Sequence, residues 1–118
     1  MKKIEVYNPV NLVTSSSITA TLLGKADLSV GDEVRIYDSE GQECCYADIE
    51  TVWHGALCDI PAIFLEMAHD PLQRTFSGVH MHLTASAGHA IGITDKVTVV
   101  GFKTKMNTVI RPNQRIVT

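Results

Sequence analysis

Polar and apolar residues alternate most cleanly between Leu28 and Trp53. Val34 and Ile36 stand between Glu33, Arg35 and Tyr37, a period of two that describes a strand with one buried face. Asp38-Ser39-Glu40-Gly41 follows, and Gly41 supplies the positive φ that a short hairpin loop needs. The returning strand places Cys45, Ala47, Ile49 and Trp53 on one face. Cys44, Tyr46, Asp48 and Glu50 fall on the other. Tyr37 and Tyr46 are then outward-facing cross-strand neighbours. A hairpin alone is marginal in water, so more sheet or a helix must cover it.

Upstream, Lys3 to Tyr7 alternates and reads as a first strand, ended by Asn8-Pro9. Thr14 to Ser17 is a polar loop, and Ile18 to Leu23 is β-favouring. Downstream, Asp59 can cap a helix that carries Pro61 in its first turn. Ile60, Ile63, Phe64 and Met67 form its expected core stripe, and Asp70-Pro71 ends it. Thr75 to Gly88 fits two periods. Phe76, Val79, Leu83 and Ala87 share one side of a helix, whereas Val79, Met81 and Leu83 alternate in a strand. The helix accounts for more apolar positions, although Gly78 costs it roughly 1 kcal/mol against alanine. Lys96 to Lys103 is apolar on both faces and predicts a central strand. Met106–Ile110 and Arg115–Val117, separated by a Pro112-Asn113 turn, would add a short edge strand.

A chain of 118 residues without repeats or linkers is expected to form one domain over 1–118. The formal charge of −3 gives no general attraction to phosphate backbones, which leaves Lys103, Lys105, Arg111 and Arg115 as a candidate local basic patch. Three cysteines without CxxC spacing argue for reduced thiols and a cytoplasmic setting. The opening MKKIEV lacks the apolar run of a signal peptide, and no stretch reaches the roughly 20 apolar residues of a membrane span.

Candidate chemistry is sparse. His80 and His82 could share a metal from a strand, but on a helix they lie about 200° apart. No three- or four-ligand set accompanies them, so no metal is expected. Cys58, near His54 and His69, precedes the first predicted helix and is expected to be a buried structural thiol. Asp48 and Glu50 form a possible carboxylate pair on one strand face. No phosphate loop or nucleophile elbow is present, and no cofactor or catalytic residue is assigned. Tyr37, Tyr46 and Trp53 are the aromatics best suited to stack on a base, with Arg35 beside them to meet a phosphate or base edge.

Gly31-Asp32 opening a strand, the strand through Ile49, the helical insert with Ile60-Pro61 and the closing strand Val97–Phe102 together resemble the PUA-like superfamily, ASCH-type domains in particular. The resemblance covers residues 28–103 and implies an α+β fold, a small mixed β-barrel with one or two helices inserted before the last long strand. It also implies recognition of RNA or modified bases in a cleft. The G-x-K-x-x-x-x-R signature of that family is represented only by Gly24-Lys25, so no catalytic residue carries over. The expected function is a non-enzymatic module that takes a nucleic-acid element or nucleotide-like molecule into a barrel-side cleft, with Arg35, Tyr37, Tyr46 and Trp53 as contacts. The alternative is a homo-oligomeric assembly protein without a small ligand, working through an exposed sheet edge.

Overall fold

The computed structural model describes residues 2–12 and 16–105. The elements run β1 (Lys2–Glu5), β2 (Ile18–Leu23), β3 (Glu33–Tyr37), β4 (Glu43–Ala56), α1 (Ala62–Glu66), α2 (Phe76–Ala87) and β5 (Lys96–Thr104). Short 3-10 turns at Leu57–Asp59 and Pro71–Gln73 flank α1. The strands form one mixed sheet in the order β1-β3-β4-β5-β2. Only β1 and β3 are parallel; the other pairs are antiparallel. The sheet is barrel-like but not closed, with β1 and β2 as its two free edges.

One core cluster lies inside the curl. It joins Ile4, Val6, Val34, Ile36, Ala47, Ile49, Val100 and Phe102. A second cluster sits on the opposite face of β5, where Val97 meets Leu57, Val79, Leu83 and Ile91, with Trp53 packed against it. Strand β5 therefore has buried residues on both faces, which is why Lys96–Lys103 is apolar throughout. The expected α+β fold and the helical reading of 75–88 hold. Thr75 caps α2 through its side chain, which accepts from the Gly78 N–H at 3.1 Å.

Two bulges in β4 break the expected alternation. Ile49 pairs with Phe102 and Thr51 with Gly101, so Glu50 is an extra residue. Beyond it the faces exchange. Val52 packs on the first cluster, and Trp53 turns to the second instead of sharing a face with Cys45, Ala47 and Ile49. The second bulge falls at Cys44, because Ile36 pairs with Cys45 and Tyr37 with Glu43. Cys44 and Cys45 are consequently both buried rather than opposed in and out.

The first helix is shorter than expected. It starts after Pro61 without a side-chain cap, so Asp59 does not cap it; Asp59 closes the preceding 3-10 turn. Five residues span little more than one turn, too few to present the four-residue stripe. Ile63 is 57% exposed, and Phe64 and Met67 are only half-buried. The chain then leaves the helix to bond the β2 edge: Thr19 donates to the Met67 carbonyl and accepts from the His69 N–H. Cys58 is exposed, not buried. The predicted strand at 106–117, with Arg111 and Arg115, and the loop residues Thr14 and Ser15 lie outside the described residues.

Candidate functional site

The two free edges of the sheet face each other across a cleft of about 530 Å³. Lys2–Glu5 of β1 and Thr21–Leu23 of β2 form its sides, and His82, Leu83 and Ser86 of α2 close one flank. The backbone pattern explains why it stays open. Val6 donates to the Tyr37 carbonyl, so the even-numbered residues of β1 bond β3. The peptide groups of Lys3 and Glu5 then turn away from β3, toward the seam. On the other edge Gly24 donates to the Lys96 carbonyl, so even-numbered residues of β2 bond β5. Thr21 and Leu23 turn outward, as Thr19 does where the 67–69 segment meets it.

A polar cluster forms the inner end of the cleft. Asp70 is 2% exposed and accepts from Asn8 Nδ2 at 2.7 Å, the Leu72 N–H at 3.0 Å and Gln73 Nε2 at 3.3 Å. His82 Nε2 lies 3.4 Å from the same carboxylate. Burial pushes the Asp70 carboxyl up, but the Leu72 N–H, the Asn8 and Gln73 amides and His82 outweigh it and hold the group below its ordinary value. His82 Nδ1 sits 2.8 Å from the Gly78 carbonyl. A carbonyl only accepts, so Nδ1 carries a proton and Nε2 is the nitrogen that faces the Asp70 carboxylate. His80 points elsewhere, with Nε2 2.6 Å from the Ile91 carbonyl. No group of three or more metal-ligating side chains occurs among the described residues.

Asn8 and Asn11 both have left-handed backbones, with φ of 53° and 56°. Asparagine tolerates that region better than most residues. Each also spends its amide on the turn after α1, Asn8 on Asp70 and Asn11 on the His69 carbonyl. The segment after β1 is thus fastened to the base of α2. Tyr7 meets His82 edge-on, with centroids 5.4 Å apart, and the pair separates the cleft from a second hollow of about 350 Å³ lined by Asn8, Pro9 and Asp38–Glu40.

The residues expected from sequence to contact a ligand are partly brought together. Arg35 and Tyr46 are direct cross-strand partners on the outer face, with the guanidinium carbon 5.5 Å from the ring centroid. Tyr37 lies one step further along β3 on the same face and pairs with Glu43, so it is a diagonal neighbour of Tyr46 rather than its partner. Trp53 is apart from them, seven positions along β4 from Tyr46 or roughly 20 Å at strand spacing. Asp48 and Glu50 do not pair. Asp48 approaches Lys105 at 3.7 Å, and Glu50 accepts from Ser17 at 2.6 Å. Lys105 also pairs with Glu33, which ties this one member of the suggested basic patch to carboxylates. Sequence reasoning missed Tyr7, Asn8, Asp70 and Gln73, and weighed His82 only as a metal partner of His80. Their sequence signal was faint: two asparagines near a proline, and an aspartate that reads as a helix stop.

No family model matches the chain and no curated protein matches it. Solved structures do. An ASCH domain from Lactobacillus crispatus JV V101 superimposes with a TM-score of 0.57 over 79% of this chain and 67% of that one, at 12% identity. A DUF984 protein from Enterococcus faecalis V583 gives 0.56 over 75% of this chain, at 9% identity. This chain spans 60% of the length of the latter. A superposition at such low identity is agreement in backbone alone. The chain shares the fold of an ASCH domain.

Proposed function

We propose that this protein is a binding module that takes a nucleotide-like group, free or within a nucleic-acid strand, into the cleft between β1 and β2. The observation that carries this reading is the make-up of the cleft. Ile4, Leu22 and Leu83 give it apolar walls, and Tyr7, Gln73, His82, Lys2 and Lys3 add an aromatic ring, an amide and cationic or polar groups. A base needs flat apolar contact and a few fixed polar groups, and its phosphate needs cations. Arg35, Tyr37 and Tyr46 flank the β1 side and extend the contact surface. The fold shared with the ASCH domain supports the reading, since RNA recognition is what that resemblance implies. Buried thiols at Cys44 and Cys45 suit a cytoplasmic setting. No helix among the described residues is long and apolar enough to cross a membrane.

The test is a titration of short single-stranded RNA, single-stranded DNA and mononucleotides at low and high salt. Trp53 is a suitable reporter because its cluster includes Leu83, which lines the cleft. Saturable binding that weakens with salt, and that His82→Ala or Gln73→Ala abolishes, is expected. No binding of any probe at low salt would remove this reading. The assembly alternative draws on the both-faces-apolar Val97–Phe102 strand and the C-terminal segment, acting through an exposed sheet edge. That strand is central, so the motive passes to the free edges of β1 and β2, and a clean monomer in concentrated sedimentation runs counts against it.

A further inference from the structure

On the outer face of the sheet, Lys3 and Arg35 are direct partners in the parallel β1/β3 ladder. Like charges placed opposite each other across strands are unfavourable unless something lies between or beside them. Carboxylates commonly do this, and they do elsewhere in the protein: Lys2 pairs with Asp32 at 3.0 Å, and Lys105 with Glu33 and Asp48. Lys3 and Arg35 have no ion pair among the described residues. Each is held over a tyrosine instead, Lys3 Nζ 5.4 Å from the Tyr37 centroid and Arg35 Cζ 5.5 Å from that of Tyr46. The carboxylates in the adjoining row, Glu5 and Glu43, are the register partners of Tyr37; Arg35 is hydrogen-bonded to Tyr37 and feels the Glu43 charge without a direct ion pair. Arg35 Nε is shut off from water and has no acceptor, so its hydrogen bonding is incomplete.

We propose that Lys3 and Arg35 form a phosphate subsite beside the cleft, so that the ligand is a phosphate ester rather than a bare base or nucleoside. This rests on the reading of the cleft given above. An anion between the two cations relieves their repulsion. It also meets the terminal nitrogens of a guanidinium that the Tyr46 ring holds flat. Lys3 connects the two regions, since it lines both the cleft and a shallower hollow next to Tyr37. A base in the cleft and a phosphate on the outer face of β1 then belong to one ligand, either a mononucleotide or one unit of a strand.

The experiment compares adenosine, cytidine, guanosine and uridine with their 5′-monophosphates, sodium pyrophosphate and a short single-stranded RNA. Calorimetry gives affinities, and the Arg35 side-chain Nε–H resonance reports contact in the unmodified protein. At least one monophosphate is expected to bind about tenfold tighter than its nucleoside, the size of one charge-assisted contact. In Arg35→Gln and Lys3→Gln that ratio falls to near one. A ratio that survives both substitutions, or an unmoved Arg35 resonance on nucleotide binding, overturns the subsite. If no nucleoside or monophosphate binds, the cleft reading fails. The subsite then stands only if pyrophosphate shifts the Arg35 resonance in the unmodified protein and not in Lys3→Gln. RNA binding much tighter than any monophosphate identifies a strand as the source of the phosphate, and equal binding identifies a mononucleotide.

Discussion

His69 is 1% exposed, with Nδ1 3.0 Å from the Val10 carbonyl and Nε2 without a partner. Nδ1 therefore carries the proton of a neutral ring. Burial is the largest influence and lowers its pKa below 6.5. The Val10 carbonyl and Asp70 oppose the shift, while His82 and Arg74 add to it. The unfolded chain takes up a proton near 6.5, and the folded chain resists doing so until lower pH. Stability from this group is complete above pH 6.5 and is lost as pH falls below it, at up to roughly 1.4 kcal/mol per pH unit. Urea midpoints measured from pH 7.5 down to 5 should fall more steeply for the unmodified protein than for His69→Gln. Equal slopes would show that His69 is not the group responsible. No pattern in the sequence announces this histidine, because its burial depends on Val10 and the 67–69 segment closing over it.

At the scale of elements, the sequence makes legible whatever local periodicity controls. Ile18–Leu23, the β3 strand and the enclosed β5 strand repeat with period two or are apolar throughout, and they stand where expected. Two extra residues, Glu50 and Cys44, escaped because a bulge leaves no mark in composition. The bulge at Glu50 nevertheless reverses the inward and outward sense of Val52 and Trp53, and the one at Cys44 brings both neighbouring thiols inward. Gly78 shows the opposite case. Read as a cost to the helix, it is a packing requirement: an added Cβ would lie 1.7 Å from the Leu72 carbonyl oxygen, which is backbone and cannot swing aside. Gly78 also supplies the N–H that the Thr75 cap accepts and the carbonyl that His82 meets. Gly78→Ala, normally favourable in a helix, should therefore destabilise the protein by about 1–3 kcal/mol. It should also loosen the His82–Asp70 contact. Denaturant unfolding checks the first point and the His82 ring shifts check the second. A neutral or stabilising result would mean that the 71–73 turn yields easily.

The whole molecule is a barrel left open along one seam, and exchange of backbone amides should reveal that opening. Strand β5 is central and covered on both faces, so Val99 and Val100 exchange only when the fold opens globally. Lys3, Glu5, Thr21 and Leu23 direct their amides into the seam, away from the neighbouring strand, so they exchange far faster. A ligand seated in the cleft touches both edges at once. At a hundred times its Kd it stabilises the fold by about 2.7 kcal/mol, which slows the central amides roughly a hundredfold. That slowing accompanies binding anywhere on the folded protein and does not locate the site. The edge amides do. Protection of Thr21 and Leu23 together with Lys3 and Glu5 places the ligand across the seam. Protection confined to β1, β3 and β4 puts it on the outer face alone, where the Lys3–Arg35 pair would act without the cleft. Since β1 and β2 lie at opposite ends of the strand order, ligand-dependent protection of both in a protein that sediments as a monomer has one geometric explanation, a ligand that bridges them.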